Sequence, residues 1–177
     1  MSQKTLYASS AFFALLIIIS NYTVQFPIND WLTYGAVVYP FTFLITDILS
    51  EKFSKKEVLK VVKIGSLLAV VPTIFVSDIR IALASIMTFI VVQQIDVQIF
   101  HKLKEKYAHL WWLRNNGSTM ISQFIDTFMF FILAFSFVMP LDTIIKLIIG
   151  DYMIKFIMAL LDTPLFYFAV IRFKPKR

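Results

Sequence analysis

Residues 119–138 read TMISQFIDTFMFFILAFSFV, a run in which Asp126 is the one charged side chain. A helix rises about 1.5 Å per residue, so a run of this length reaches across the roughly 30 Å hydrocarbon core of a bilayer. The rest of the chain has the same character, since 59% of its 177 residues are hydrophobic and 16% are charged. Soluble domains carry about 25% charged residues. We therefore predict an integral membrane protein.

Five further apolar runs, bounded by charges or turn residues, lie on either side of this one. Six spans of about 20 residues leave only short loops and tails, so we predict an all-α fold in one integral membrane domain, residues 1–177. The predicted transmembrane helices are residues 6–24, 31–49, 61–76, 79–100, 119–138 and 144–170. The last is longer than the hydrocarbon core requires, and we expect it to break at Pro164.

The 17 lysines and arginines are distributed unevenly between the two sides of this arrangement. Most lie in the N-terminal tail, in the connections 50–60 and 101–116 and in the C-terminal tail, which share one side when six spans are present. Basic loops mark the cytoplasmic side of a membrane protein, so we predict that both termini are cytoplasmic. Omitting the third span would put the two basic connections on opposite sides, which argues for keeping it.

The residues that enzyme chemistry requires are scarce. The chain contains no cysteine, and its two histidines, His101 and His109, lack the i, i+4 spacing of a metal-binding helix. Its four glycines are scattered and form no phosphate-binding loop. We predict no enzymatic activity, no cofactor and no bound metal. The net charge of +6 reflects the basic loops, so we predict no nucleic-acid partner.

Charged side chains also fall inside the predicted spans, where an ionised group costs about 2.5–3.5 kcal/mol. Six of them are Asp47, Asp96, Asp126, Asp151, Lys155 and Asp162. Four carboxylates, on four helices, are expected at similar depth in the cytoplasmic half: Asp47, Asp96, Asp126 and Asp162. Lys155 lies four residues after Asp151 and seven before Asp162, so it has carboxylates on its own helix face in both directions.

These charges have other interpretations besides a binding site. Asp47, near the end of its span, could reach the interface or cap a helix. Asp126, Asp162 and Lys155 could form ion pairs that only specify helix packing. The phenylalanines repeated along the fifth span are expected to face lipid or neighbouring helices: Phe124, Phe128, Phe131 and Phe135.

The fourth and fifth predicted helices share a short pattern. Residues 93–96, QQID, and residues 123–126, QFID, both read Gln-x-Ile-Asp. Residues three apart lie on one face of a helix, so each copy presents an amide and a carboxylate together. Because the two helices run antiparallel, these faces could converge from opposite directions.

Four segments together resemble the bacterial queuosine-precursor transporters, the YhhQ-like family also described as vitamin uptake transporters. The segments are residues 39–53 (YPFTFLITDILSEKF), 94–104 (QIDVQIFHKLK), 112–127 (WLRNNGSTMISQFIDT) and 159–164 (ALLDTP). The resemblance implies six helices in the bacterial inner membrane and uptake of deazaguanine bases for tRNA modification, without an ATPase of its own. The connection 77–80 is shorter than we would expect in this family.

A guanine-like base offers two N–H donors beside one carbonyl acceptor. A carboxylate can accept from both donors and an amide can donate to the carbonyl. The resemblance and this chemistry point to Asp126 and Asp96 as the residues that recognise the base, with Gln94 and Gln123 beside them. Further candidates are Asn116, Asp47, Asp162 and Lys155, and Phe43 or Tyr39 for stacking on the base.

Other functions remain compatible with the sequence. One is a substrate-binding subunit similar to the S-components of energy-coupling-factor vitamin importers, which need a partner ATPase. Ser10 and Ala14 have the small-xxx-small spacing that could dock a partner helix. Another is a channel-like or structural bundle without saturable ligand binding. The sequence is also compatible with a homo-oligomer, and it does not select among the cyano base, the aminomethyl base and queuine.

Overall fold

The structure of the chain is a computed structural model that describes residues 1–23, 26–29, 32–76 and 78–172. Its α-helices are α1 (Gln3–Thr23), α2 (Tyr34–Val38), α3 (Pro40–Lys52), α4 (Lys55–Val76), α5 (Ile79–Lys106), α6 (Trp111–Phe135) and α7 (Leu141–Phe166). A π-helical turn, Tyr167–Ile171, continues α7. Two short strands, β1 (Pro27–Asn29) and β2 (Leu32–Thr33), pair antiparallel between α1 and α2. The predicted all-α class is confirmed.

Four of the helices, α1, α4, α5 and α6, are long and apolar enough to cross a membrane. Helix α7 has 26 residues but carries several charged side chains. The second predicted span divides into α2 and α3 at Tyr39, because Pro40 begins α3 and has no N–H with which to continue the hydrogen bonds of α2.

The distribution of side chains is that of a membrane protein. Large apolar side chains lie along the outside, and Phe124 and Phe128, which we expected to face lipid, are each 50% exposed. Polar side chains occupy the interior instead, and Thr42, Thr46 and Asp47 of α3 are at most 1% exposed. Lipid favours this arrangement, because polar groups find their partners only inside the bundle.

Helix α3 lies at the centre of the bundle. It contacts α1, α4, α5, α6 and α7, although it has only 13 residues. Around it, α5 packs against α4 and α6, α1 packs against α4, and α7 packs against α6. The polar residues of α3 are therefore enclosed by the longer helices.

Helices α1 and α4 approach each other closely at Gly65. A Cβ atom at this position would lie 2.6 Å from Cδ1 of Phe13 and 2.9 Å from the carbonyl oxygen of Ser10. Ser10 and Ala14 are both buried. The small residues of α1 therefore serve packing within this chain, rather than the docking of a partner helix that their spacing suggested.

Several helix boundaries differ from the prediction. Helix α5 continues past residue 100 to Lys106 and α6 begins at Trp111, so His101 lies on a helix and the connection 101–116 shrinks to residues 107–110. Helix α4 begins at Lys55, before the predicted start at residue 61. Apolar runs locate the bilayer core, whereas a helix continues beyond it wherever its residues favour helix. The predicted boundaries at residues 24 and 31 lie outside the described residues.

The last helix does not break at Pro164, as the sequence suggested. It continues as α-helix to Phe166 and then winds as a π-helical turn, in which the N–H of Arg172 donates to the carbonyl of Tyr167 at 3.0 Å. Proline removes one N–H donor from the hydrogen-bond ladder, and the wider winding follows about one turn later. The helix therefore continues past Pro164 and changes from α-helical to π-helical hydrogen bonding instead of breaking.

Candidate functional site

A cavity of about 550 Å³, including its open mouth, lies between the helices. Its wall is formed by the last turn of α1, by α2 and Tyr39, by the first turns of α5, and by parts of α6 and α7. Thr23, Tyr34 and Ile79, at the ends of these helices, lie on the side of the bundle opposite the basic connections. The cavity therefore lies in the half of the bundle away from those connections.

Three charged side chains, Asp126, Asp151 and Lys155, meet in the cavity wall, and we call them the charged cluster. Nζ of Lys155 lies 2.8 Å from Oδ2 of Asp151 and 3.2 Å from Oδ2 of Asp126. The hydroxyl of Tyr39 donates to Oδ1 of Asp126 at 2.6 Å, and Nζ of Lys155 lies 4.8 Å from the centre of the Tyr39 ring. Thr127 donates to Oδ2 of Asp151 at 3.1 Å. Burial of charged groups has a desolvation cost, and these additional hydrogen bonds offset part of it.

A second polar group lies farther from the cavity mouth, between α3, α5 and α6. Thr119 donates to Oδ2 of Asp47 at 2.9 Å, and the hydroxyl of Thr46 lies 3.4 Å from Oδ2 of Asp96. The same hydroxyl lies 3.3 Å from the amide oxygen of Gln93. Asp47 is 1% exposed, so it lies in the interior and does not reach the interface as one interpretation of the sequence allowed.

Gln123 lies on α6 between these two groups and is fully buried. Within the described ranges, neither its amide oxygen nor its amide nitrogen has a hydrogen-bond partner, and Oδ1 of Asp96 also lacks one. Buried polar atoms in folded proteins are nearly always paired. These unpaired atoms therefore mark a place where a ligand or a change of conformation would supply partners.

The end of the bundle at the basic connections is closed by buried charges. Nε and Nη2 of Arg114 donate to the two carboxylate oxygens of Glu51 at 2.8 and 3.0 Å, and Nη1 donates to the carbonyl of Ala108 at 2.8 Å. Nζ of Lys104 donates to the carbonyls of Ser50 and Glu51 at 2.7 and 2.8 Å. Helices α3, α5 and α6 are therefore tied together at this end.

The predicted site residues divide into three sets. Three line the cavity: Tyr39, Asp126 and Lys155. Four are buried outside its wall: Phe43, Asp47, Asp96 and Gln123. The remaining three lie apart from both polar groups: Gln94, Asn116 and Asp162. The four carboxylates expected at one depth are thus spread over several levels, because α6 begins at Trp111 and Asp126 lies about four turns into it.

Gln94 does not face the interior. Its side chain is exposed and donates to the carbonyl of Ile90 at 2.8 Å. Its neighbour Gln93 is fully buried with Asp96, as the three-residue spacing of Gln-x-Ile-Asp requires. The pattern was therefore informative, but the buried amide in its first copy belongs to Gln93 and not to Gln94.

Asn116 and Asp162 lie along the contact between α6 and α7. The hydroxyl of Thr163 donates to Oδ1 of Asn116 at 2.8 Å. Asp162 is 4% exposed, and its Oδ2 has no hydrogen-bond partner in the part of the chain that the structure describes. The ion pairs of Lys155 run to Asp126 and Asp151, so the expected pairing with Asp162 on the same face is not seen.

Other cavity residues were not predicted as site residues. The four-residue spacing predicted Asp151 as a neighbour of Lys155 on the same helix face, which is confirmed, but Asp151 was not predicted as a site residue. Ser85, which donates to Oδ1 of Asn21 at 2.9 Å, and Thr88 also line the cavity. Small polar residues are common in membrane helices, so nothing in the sequence distinguished these two.

The arrangement suits a flat, polar, uncharged or cationic ligand. Carboxylates can accept from ring N–H groups, and the face of Tyr39 can contact a ring. The ammonium of Lys155 donates to Asp151, Asp126 and Thr127 and so holds the two carboxylates in place. In the ranges that the structure covers, no three His, Cys, Asp or Glu side chains come together to hold a metal ion.

Comparisons with known proteins identify a family and several relatives. Residues 33–77 and 69–169 match the family described as "Putative vitamin uptake transporter". The "Probable queuosine precursor transporter" of Bacillus subtilis (strain 168) is 34% identical, over 77% of this chain and 71% of its own length. The "Queuosine precursor transporter" of Escherichia coli (strain K12) is 32% identical, over 75% of this chain and 69% of its own length. No solved structure matches the chain significantly.

Proposed function

The chain belongs to the vitamin uptake transporter family, and from this premise we propose that it imports queuosine precursors. These are deazaguanine bases: 7-cyano-7-deazaguanine, 7-aminomethyl-7-deazaguanine or queuine. The observation that carries the proposal is the cavity, which places hydrogen-bonding groups and an aromatic ring inside the membrane-spanning bundle. We propose secondary or facilitated transport, without ATP hydrolysis by this chain.

We infer six membrane crossings, with α2 and α3 together as the second and α7 as the sixth. This count and the basic connections support an orientation with both termini in the cytoplasm and a location in the bacterial inner membrane. In this orientation the cavity lies in the half of the bundle that faces away from the cytoplasm. An importer receives its substrate from that side.

Recognition of the base is assigned first to the cavity wall. Each oxygen of the Asp126 carboxylate keeps a second lone pair for the N–H groups of the base, and Tyr39 contacts the ring. The three N–H donors of Lys155 are taken by Asp126, Asp151 and Thr127, so Lys155 holds the carboxylates in place. Gln123 and Asp96, with their unpaired atoms, are proposed as the next partners on the inward path. Gln94 has no role in recognition in this proposal, since its side chain is exposed.

The closed end of the bundle supports a carrier rather than a channel. The buried Glu51–Arg114 pair lies on the side of the basic connections, whereas the cavity lies in the other half. A carrier alternates between states that are open on one side at a time, whereas a conducting channel is open on both sides. We propose that the structure represents the outward-facing state.

The chain is proposed to act without a partner ATPase and to catalyse no reaction. The family description and the names of its relatives describe transporters. Its partners would be the small purine-like base and the lipid bilayer, with no nucleic acid. Uptake of a labelled base by cells that express this chain alone tests this point, and a requirement for a second protein would favour the S-component interpretation instead.

The binding site is tested with Asp126→Asn. Asparagine replaces an acceptor oxygen with an NH₂ donor that opposes a ligand N–H, at a cost of about 1–3 kcal/mol, so affinity should fall about tenfold or more. Purified protein is titrated calorimetrically with guanine, adenine, queuine and the two simpler deazaguanines. Asp142→Asn, at an exposed position on α7, is the matched control. Saturable binding of none of the deazaguanines would contradict the proposed function, whereas unchanged binding to Asp126→Asn would move the site.

A further inference from the structure

The charged cluster is not electrically balanced. The cavity wall contains two carboxylates, Asp126 and Asp151, but one ammonium, Lys155, which leaves a formal charge of minus one. The remaining lining residues are neutral. An uncompensated charge is costly in a membrane interior, so the cavity favours a cation.

The two carboxylates differ in how fully they are used. Asp126 is engaged through both oxygens, by Tyr39 on Oδ1 and by Lys155 on Oδ2. Asp151 receives Thr127 and Lys155 on Oδ2 alone, and within the described ranges nothing donates to its Oδ1. The side chain of Asp151 is also the more accessible, at 20% exposed against 5% for Asp126.

The cavity wall can bind the ring of a base and a substituent on that ring through different residues. Asp126 and Tyr39 can hold the ring of a base, as proposed above. Asp151 lies one helical turn before Lys155 on α7 and also lines the cavity. Its Oδ1 can therefore accept a hydrogen bond from a substituent on that ring. A carboxylate pairs most strongly with a charged donor such as an ammonium group, at about twice the strength of a neutral hydrogen bond.

The proposed substrates differ at this substituent. The aminomethyl base carries a primary amine and queuine a secondary amine, both of which are protonated at neutral pH, whereas the cyano base carries a neutral nitrile. A nitrile offers only an acceptor, and beside a carboxylate it would leave both groups without a donor.

We propose that this chain selects deazaguanine bases whose 7-substituent carries a protonated amine, and that Asp151 is the residue that determines this selectivity. The proposal rests on the proposed function and specifies its substrate class. Binding of such a base would bring the cavity to electrical neutrality without disturbing the Lys155 ion pairs. The cyano base would enter the same cavity and leave its negative charge uncompensated.

The test is a calorimetric titration of the purified wild-type chain with the aminomethyl base and the cyano base under identical conditions. We expect the Kd of the aminomethyl base to be at least about tenfold lower, which is the smaller end of what a charge-assisted hydrogen bond contributes. Equal affinities, or tighter binding of the cyano base, would overturn this proposal while leaving the transport function intact. Binding of neither of these bases, nor of queuine, would instead refute the proposed function.

Two variants assign the selectivity to one residue. Asp151→Asn should reduce the ratio between the two Kd values to within about threefold, because the cavity then has no excess negative charge. Asp142→Asn removes an exposed carboxylate from the same helix and should keep the wild-type ratio. A wild-type ratio in Asp151→Asn would overturn the role of Asp151. If that variant does not fold, the wild-type comparison with queuine against the cyano base still decides the selectivity.

Discussion

The hydroxyl of Tyr39 donates a 2.6 Å hydrogen bond to the carboxylate of Asp126, which lies 87 residues farther along the chain. Tyr39 is the residue between α2 and α3, and its own N–H donates to the carbonyl of Gly35 at 2.9 Å. Tyr39 directly precedes Pro40, the first residue of α3, and its side chain forms part of the cavity wall. The break between α2 and α3 therefore positions one of the residues that line the cavity.

Tyr39→Phe should weaken binding of a deazaguanine base about tenfold. The ring and its contact with Lys155 remain, but Asp126 loses the donor that orients it, and a hydrogen bond to a charged group contributes about 1.5–3 kcal/mol. Calorimetric titration measures the change. Tyr34→Phe is the control, because Tyr34 is 54% exposed. Equal affinities in the two variants would mean that the hydroxyl has no part in the site.

Lys155→Met should strongly destabilise the folded protein. Removing one member of a buried ion pair leaves its partners uncompensated, at a cost of about 3–5 kcal/mol, and here two carboxylates lose their cation. Thermal unfolding in detergent measures the loss, and Lys146→Met, at an exposed position on the same helix, is the control. The double variant Lys155→Met with Asp126→Asn should recover part of the stability. Unfolding temperatures that match the wild type would show that Lys155 is solvated.

Arg114→Met should lower stability by a similar amount, about 3–5 kcal/mol, because Glu51 would remain buried without its guanidinium. Combining it with Glu51→Leu should recover most of the loss, since an apolar pair of similar volume has no desolvation cost. The same unfolding assay applies, with Lys102→Met as the exposed control. If the single and double variants unfold alike, the pair does not hold the closed end together.

The proposed orientation is tested with single cysteines, for which a chain without native cysteine is well suited. A cysteine at exposed Ser54 should resist an impermeant thiol reagent applied to intact cells, whereas one at exposed Ser136 should react. Both positions should react after the cells are opened. The reverse pattern in intact cells would place the basic connections outside the cytoplasm.

The fold was predictable because apolar runs of bilayer length report the surroundings of a helix directly. The ends of the helices were harder to predict, because α5 continues through polar residues to Lys106 and α6 begins before its apolar run, at Trp111. Amphipathic spacing says which residues share a face, but not how that face is rotated toward the bundle centre. Gln93 and Gln94 differ by one step of about 100°, and only the three-residue spacing to Asp96 distinguishes the buried amide from the exposed one.

Pairings between helices could not be read from the sequence. Lys155 and Asp126 are 29 residues apart on adjacent helices, and their contact depends on the rotation and offset of α6 against α7. The sequence instead suggested carboxylates on the same helix as partners of Lys155, of which Asp151 was correct and Asp162 was not. The buried Glu51–Arg114 pair gave no signal either, since both residues lie in basic segments that were expected to be loops.

The contact at Gly65 has a consequence for how this protein can change through mutation. Even alanine there would push on the backbone of Ser10, which cannot move aside as the ring of Phe13 can, so α1 must shift away from α4. Helix α1 continues from this contact for about 15 Å, as a stiff rod, to Ser20 in the cavity wall. A substitution at this buried glycine would thus displace the far end of α1 and reshape the cavity without altering any residue that lines it.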